Sequence, residues 1–145
     1  MRYLSGCTGE TISIGLKLGR LLRAGDTVFL TGELGSGKTT LIKGIAGALG
    51  ISSSDITSAS FTIIAVHEGA VPLYHIDLYR LDDLSAMEDV GLFEYFGADG
   101  IAVVEWADKL QGTETADVTV NMKYLNDNER EIIIEGVDEQ SWDNM

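Results

Sequence analysis

The stretch Gly32-Glu-Leu-Gly-Ser-Gly-Lys-Thr39 decides the fold class of this 145-residue chain. It matches the pattern G-x-x-x-x-G-K-[ST], in which a glycine-rich turn presents backbone N–H groups to phosphate oxygens. The segment before it, Asp26–Thr31, is short, apolar and rich in β-branched residues, as in a buried strand. The segment after it has apolar residues at helical spacing and ends at Gly50, which predicts a helix over 38–49. The strand, turn and helix together predict a phosphate-binding P-loop.

Two residues of this loop have distinct chemical roles in such a site. Lys38 is expected to reach the β- and γ-phosphates of a nucleotide, and the Thr39 hydroxyl is expected to bind Mg²⁺. The helix that begins here adds roughly half a positive charge at its N-terminus, which also favours an anion. A glycine-rich turn that binds nothing is the alternative, and the flanking strand and helix argue against it.

The composition limits the function classes. The net charge is −13, from 23 acidic and 10 basic residues. Direct nucleic-acid binding is not expected as the main role, because such affinity comes largely from Lys and Arg. No apolar run approaches the ~20 residues of a membrane span, and the N-terminus lacks the long apolar stretch of a secretion signal. Cys7 is the only cysteine, so no intrachain disulfide can form. We expect a cytoplasmic protein without membrane association.

The order of the segments predicts an α/β P-loop NTPase with a mostly parallel central sheet flanked by helices. Antiparallel hairpins are expected at 60–79 and at the C-terminus, and a helix is expected over 82–96. The length fits a single domain, which we place at 1–137. The remaining residues, 138–145, are polar and acidic and are expected to form a flexible tail.

Glu105 directly follows the short apolar run Ile101–Val104. A P-loop needs a carboxylate opposite it to hold Mg²⁺ or its water, and an acidic residue at the end of a buried strand is the usual source. We therefore expect Glu105 to bind metal. In the alternative, Glu105 is only the first polar residue after a core strand.

A second polar cluster lies in the segment from His75 to Arg80. On a strand, His75, Asp77 and Tyr79 share one face, and three polar groups on one side of an apolar strand are costly unless paired or functional. Asp77 is a candidate for orienting the attacking water or holding the metal shell. The alternative is a buried His–Asp hydrogen bond that supports the fold. Arg80 is equally compatible with phosphate neutralisation and with a surface ion pair.

The chain resembles the TsaE (YjeE) family, the small P-loop ATPases of bacterial tRNA threonylcarbamoyladenosine synthesis. The resemblance runs from about Thr8 to Lys109. One departure is that the family usually has S-P-T-[FY] where this chain has Ser-Ala-Ser-Phe, and loss of the proline removes a backbone restraint. The residues that carry the resemblance lie in four segments: Leu34–Thr40, Ser58–Thr62, His75–Leu81 and Val104–Trp106.

The resemblance implies an ATPase that works with TsaB and TsaD, while TsaC supplies the activated threonylcarbamoyl group. ATP and Mg²⁺ are the implied cofactors, and tRNA is reached only indirectly, through the protein partners. The implied catalytic residues are Lys38, Asp77 and Glu105, and the implied metal ligands are Thr39 and Glu105. The implied nucleotide contacts are Thr8, Thr11, Gly35, Ser36, Gly37, Lys38, Thr39, Thr40 and Trp106.

Two other functions remain open from the residues alone. A small-molecule kinase would need an arginine-bearing lid, and beyond the P-loop this chain has only Arg80 and Arg130. A nucleotide-sensing adaptor with little turnover would use nearly the same residues as an ATPase. The guanine-reading tetrapeptide N-K-x-D is absent from the sequence, which favours ATP over GTP.

Overall fold

The computed structural model describes residues 1–33, 35–57 and 63–145. These residues form one seven-stranded sheet with helices packed against it. In chain order the elements are β1 (Arg2–Ser5), α1 (Thr8–Leu21), β2 (Thr27–Thr31), α2 (Lys38–Ala48), β3 (Ile64–His67), β4 (Leu73–Asp77), α3 (Leu84–Asp89), β5 (Ile101–Glu105), β6 (Val118–Tyr124), β7 (Arg130–Glu135) and α4 (Glu139–Asp143). Short 3₁₀ turns occupy Ser53–Asp55, Leu92–Tyr95 and Ala107–Leu110.

The strand order of the sheet is β1-β7-β6-β2-β5-β4-β3. The central strands β6, β2, β5 and β4 run parallel, and antiparallel pairs β1–β7, β6–β7 and β3–β4 complete the sheet. The predicted α/β sheet with a parallel centre and two hairpins is therefore confirmed. The P-loop follows the carboxyl end of β2, while Asp77 and Glu105 end β4 and β5 as directly paired residues. The P-loop, Asp77 and Glu105 therefore lie at the same edge of the sheet, where β2, β4 and β5 end.

Helices α1 and α2 pack closely through paired glycines. A Cβ atom at Gly15 would lie 2.2 Å from the Leu41 carbonyl oxygen, and one at Gly44 would lie 2.2 Å from the Ile12 carbonyl oxygen. Only glycine permits backbones to approach this closely. The contact brings the N-terminus of α1 beside the N-terminus of α2, where the P-loop ends.

The opposite face of the sheet carries a second apolar core, in which Ile76, Val104 and Met87 are fully buried. Here the structure differs from the predicted single helix over 82–96. Helix α3 covers only Leu84–Asp89, and Gly91 adopts a left-handed conformation with φ of 73° before a 3₁₀ turn begins. The apolar spacing continues past Gly91, but the glycine turn ends the helix.

The prediction of a flexible tail at 138–145 is corrected by the structure. Asp138 caps helix α4 by accepting hydrogen bonds from the Ser141 amide at 3.0 Å and the Ser141 hydroxyl at 2.7 Å. Trp142 is 1% exposed and belongs to the main apolar core. Burial of the Trp142 ring holds this acidic segment against the core, because it contributes several times the free energy of an exposed polar contact. Within the described residues, no helix is long and apolar enough to cross a membrane.

Candidate functional site

The P-loop places an unsatisfied hydroxyl at the start of α2. Gly37 has φ of 97°, a left-handed conformation that favours glycine, and α2 begins at the next residue. Ser36 is fully buried, and its Oγ is the one buried side-chain polar atom without a hydrogen-bond partner in the part of the chain that the structure describes. Leaving such a group unpaired costs about 1–3 kcal/mol. A phosphate oxygen that accepts from Ser36 would remove this cost, so the loop fits an anionic ligand.

The side chain of Lys38 is buried and held by two partners. Its Nζ lies 3.9 Å from Glu105 Oε1 and 4.3 Å from the centroid of the Trp106 ring. A buried ammonium group needs such compensation, because desolvation disfavours its charged form. The predicted phosphate-binding lysine and the predicted metal-binding carboxylate therefore face each other across the P-loop.

Glu105 has a second partner, His75, on the neighbouring strand. The distance from His75 Nε2 to Glu105 Oε2 is 2.7 Å, and the two residues are 1% and 4% exposed. Within the described residues, His75 therefore pairs with Glu105. The alternative interpretation of this segment, a buried hydrogen bond between His75 and Asp77, is not what these residues form. Lys38, His75 and Glu105 are called the buried cluster below.

Asp77 lies beside this cluster and is half-buried. Its Oδ1 accepts a hydrogen bond from the Tyr79 amide at 2.9 Å. Burial raises the pKa of the Asp77 carboxyl, and the negative charge of Glu105 adds to the increase. The Tyr79 amide, His75 and Lys38 oppose it. A carboxyl group with a raised pKa next to a buried charge pair is a common feature of sites that move protons or orient water.

Trp106 covers one side of the buried cluster with its ring, and its own backbone is strained. Its φ of 60° lies in the left-handed region, where a bulky residue is uncommon. The ring lies 5.2 Å from the ring of Tyr79, which is 55% exposed. Lys109 links its own segment to the Tyr79 backbone, since its Nζ donates to the Tyr79 carbonyl oxygen at 2.6 Å. The indole is therefore held in place over Lys38 by its neighbours.

A second part of the site is a cleft of about 210 Å³ on the other side of the P-loop. We call it the hairpin cleft, because the turn between β6 and β7 forms one wall and the start of α1 forms the other. It opens directly beside the N-terminus of α2. Its lining residues are Gly6, Cys7, Thr8, Thr11, Gly37, Thr40, Asp127, Asn128 and Arg130.

Arg130 is held rigidly in the wall of the hairpin cleft. Its Nη1 donates to the carbonyl oxygens of Asn126 and Glu129 at 2.6 and 3.1 Å. The guanidinium carbon lies 4.6 Å from the centroid of the Tyr124 ring. Arg130 is not among the site residues predicted from the sequence. The turn residues Asn126–Asn128 were a visible signal for a hairpin, but not for its position beside the P-loop.

The donor atoms of the site suit a hard divalent cation. Glu105 offers a carboxylate and Thr39 a hydroxyl, and oxygen ligands are those that Mg²⁺ prefers. The described residues contain no group of three or more metal-ligating side chains.

The structure thus brings the predicted site residues together in two groups. Lys38 and Glu105 belong to the buried cluster and Asp77 and Trp106 lie beside it, while Thr8, Thr11, Gly37 and Thr40 line the hairpin cleft. Ser36 lies in the loop between them and Gly35 on its exposed side. The segment Ser58–Thr62, which carries part of the family resemblance, lies outside the described residues.

Comparisons with known proteins show which family this chain resembles. Residues 7–132 match the family described as "Threonylcarbamoyl adenosine biosynthesis protein TsaE". The chain is 40% identical to a tRNA threonylcarbamoyladenosine biosynthesis protein TsaE from Treponema pallidum, over 92% of this chain and 99% of that protein. It is 41% identical to the protein of the same name from Bacillus subtilis, over 88% of this chain and 80% of that protein.

A solved structure shares the fold. The crystal structure of Bacillus subtilis YdiB superposes with a TM-score of 0.77 and 34% sequence identity, covering 97% of this chain and 88% of that chain. The match to the family extends from the start of α1 to β7, so it includes the buried cluster and every lining residue of the hairpin cleft except Gly6. The chain therefore belongs to the TsaE family of tRNA threonylcarbamoyladenosine biosynthesis proteins.

Proposed function

We propose that this protein is a cytoplasmic, Mg²⁺-dependent ATPase that supports threonylcarbamoyladenosine formation in tRNA together with TsaB and TsaD. The observation that carries the proposal is the geometry of Lys38 and Glu105, whose charged groups lie 3.9 Å apart at the P-loop. A nucleotide bound there would place its terminal phosphates against the lysine and its Mg²⁺ against the carboxylate and Thr39. The metal would stabilise the charge that develops during phosphoryl transfer.

The residues around the buried cluster have complementary roles in this proposal. Lys38 binds the phosphates, and the N–H groups and Ser36 hydroxyl of the loop surround them. Asp77 orients the attacking water, because its carboxyl group is half-buried beside Glu105 and remains partly accessible. The nucleoside occupies the hairpin cleft, which begins where the P-loop ends and contains Thr8 and Thr11.

The charge of the chain supports an indirect relation to tRNA. A net charge of −13 gives little attraction to a polyanion, because binding to phosphates depends on Lys and Arg. We infer that the protein acts on tRNA modification only through its protein partners, which also raise its hydrolysis rate. The isolated chain is expected to hydrolyse ATP slowly.

Phosphate release measured with the isolated protein, and again with TsaB and TsaD, tests this function. We expect slow Mg²⁺-dependent release that increases when the partners are added, and repeated cycles of threonylcarbamoyladenosine formation that require this protein. A kinase would instead transfer phosphate to a small acceptor, and an adaptor would stay inactive under every condition. Tight, salt-sensitive binding of tRNA to the isolated chain, or full multiple-turnover modification without it, would contradict the proposal.

A further inference from the structure

We infer that His75 is a positioning residue for Glu105: its imidazole holds one carboxylate oxygen so that the other faces the P-loop. The inference rests on the proposed function, since it assigns Glu105 to the metal. It concerns only residues of this chain. Among the described residues, His75 is neither part of the lining of the hairpin cleft nor an ion-pair partner of Lys38, so it acts through the Glu105 carboxylate.

The two carboxylate oxygens of Glu105 have different partners. Oε2 lies 2.7 Å from His75 Nε2, whereas Oε1 lies 3.9 Å from Lys38 Nζ. The shorter contact is a hydrogen bond and the longer one is only an ion pair. His75 therefore anchors Oε2 and leaves Oε1 as the oxygen available to a ligand at the P-loop.

The sheet makes this anchoring possible. His75 pairs with Val103 in the parallel register of β4 and β5, and Asp77 pairs with Glu105. Because side chains alternate along a strand, His75 and Glu105 lie on the same face as diagonal neighbours. The backbone separation of the two side chains is fixed by the strand pairing, so the hydrogen bond also fixes the plane of the carboxylate.

The fixed orientation of the Glu105 carboxylate favours metal binding. A glutamate side chain has several rotatable bonds, and ordering it costs free energy in lost rotamer freedom. The fold has already paid this entropy through the His75 contact, so a cation at Oε1 meets a preordered ligand. Partners that orient metal-binding side chains in this way typically change metal affinity by 10–100-fold when they are removed.

The competing explanation is that His75 only fills and stabilises the core. Both explanations predict a lower melting temperature when His75 is replaced, so stability alone cannot separate them. They differ in the Mg²⁺ dependence of nucleotide binding, which a purely structural role would leave unchanged. ADP is a suitable probe, because it binds without turnover.

The test is calorimetric titration of the full chain with ADP, in Mg²⁺ and in EDTA. We expect the unmodified protein to bind ADP more tightly with Mg²⁺. His75→Leu should keep its affinity in EDTA within about twofold and lose most of the Mg²⁺ gain, roughly tenfold or more. His75→Gln should recover the gain, because its amide N–H can reach Glu105 from nearly the position of Nε2.

Two further variants keep the test decisive. His67→Gln replaces the other histidine of the chain, on β3, and should leave the Mg²⁺ gain unchanged. If circular dichroism shows that His75→Leu is unfolded, His75→Asn takes its place, since the shorter amide cannot reach Glu105 and should lose the gain that Gln keeps.

The outcomes separate the inference from the proposed function. An undiminished Mg²⁺ gain in His75→Leu, or equal gains in the Gln and Asn variants, would overturn the positioning role and leave the ATPase proposal standing. If the unmodified protein binds ADP without any Mg²⁺ gain, Glu105 does not hold the metal and the positioning role is also overturned. Failure of the unmodified protein to bind ADP would overturn the proposed function itself.

Discussion

The buried cluster and the hairpin cleft lie on two sides of one P-loop and are built by different means. The cluster consists of polar side chains that are nearly inaccessible to solvent, and Lys38 and His75 each contact Glu105. The cleft consists largely of exposed residues from a helix start and a hairpin turn. Electrostatic interactions are much stronger in the low dielectric of a buried site than in water. Substitutions in the cluster should therefore have larger effects than substitutions in the cleft.

The largest effect is expected for Glu105→Gln. Loss of the carboxylate charge should reduce phosphate release on the order of a hundredfold, as for other groups that stabilise a transition state, while ATP affinity changes much less. Steady-state phosphate release and equilibrium ATP binding measure the two quantities. Parental hydrolysis in this variant would mean that the carboxylate is structural and that Asp77 is the better metal candidate.

Lys38→Ala should remove nucleotide affinity, turnover or both, by roughly tenfold to a hundredfold, because a charge-assisted contact to phosphate is lost. It also leaves Glu105 without its ion-pair partner. Lys43→Ala, farther along α2, is the matched control and should retain both properties. Unchanged affinity and turnover in Lys38→Ala would exclude the phosphate site.

Gly44→Ala tests the support of the cleft wall. The added methyl group would lie 2.2 Å from the Ile12 carbonyl oxygen, so α1 must move away from α2. We expect the free energy of unfolding to fall by about 1–3 kcal/mol, as for other overpacked contacts, and ADP affinity to fall severalfold. Urea denaturation and ADP titration measure these effects. Gly47→Ala is the control, since its methyl group meets only Leu16 Cδ1 at 3.8 Å; equal stability of the two variants would contradict the close packing.

The smallest effect is expected for Arg130→Ala. This guanidinium is partly exposed, and its interaction with a bound nucleoside should contribute about 0.5–1 kcal/mol, or two- to fivefold in ADP affinity. Lys123→Ala removes one positive charge from the same hairpin outside the cleft and controls for general electrostatics. If Arg130→Ala loses as much nucleotide affinity as Lys38→Ala, the expected difference between the hairpin cleft and the buried cluster is contradicted.

Much of the buried cluster could be predicted from local sequence patterns. The pattern of Gly32–Thr39 identified the P-loop and Lys38, and the apolar run before Glu105 identified a strand-end carboxylate. Both depend on short-range periodicity, which the structure preserves as β2, α2 and β5. The pairing of His75 with Glu105 could not be predicted, because it depends on β4 and β5 lying next to each other in a particular register.

Two predictions, the single helix over 82–96 and the tail at 138–145, differ from the structure, each for its own reason. Apolar spacing over 82–96 favoured one helix, but a left-handed glycine at Gly91 divides it. The acidic composition of 138–145 favoured a flexible tail, whereas Trp142 packs into the core beside Tyr3, with ring centroids 5.6 Å apart. The burial of Trp142 depends on residues more than a hundred positions away, which no local pattern contains.

By itself, the sequence determined the phosphate-binding loop, the α/β class and the position of the strand-end carboxylate, because each follows from residues that are adjacent or nearly adjacent in the chain. Only the tertiary structure decided how the polar side chains are paired and which residues line the hairpin cleft. Strand register brings His75 to Glu105, and the glycine contact between α1 and α2 brings Thr11 beside Gly37 and Thr40 in the hairpin cleft. These are long-range contacts, and they form only when the whole sheet and both helices pack together.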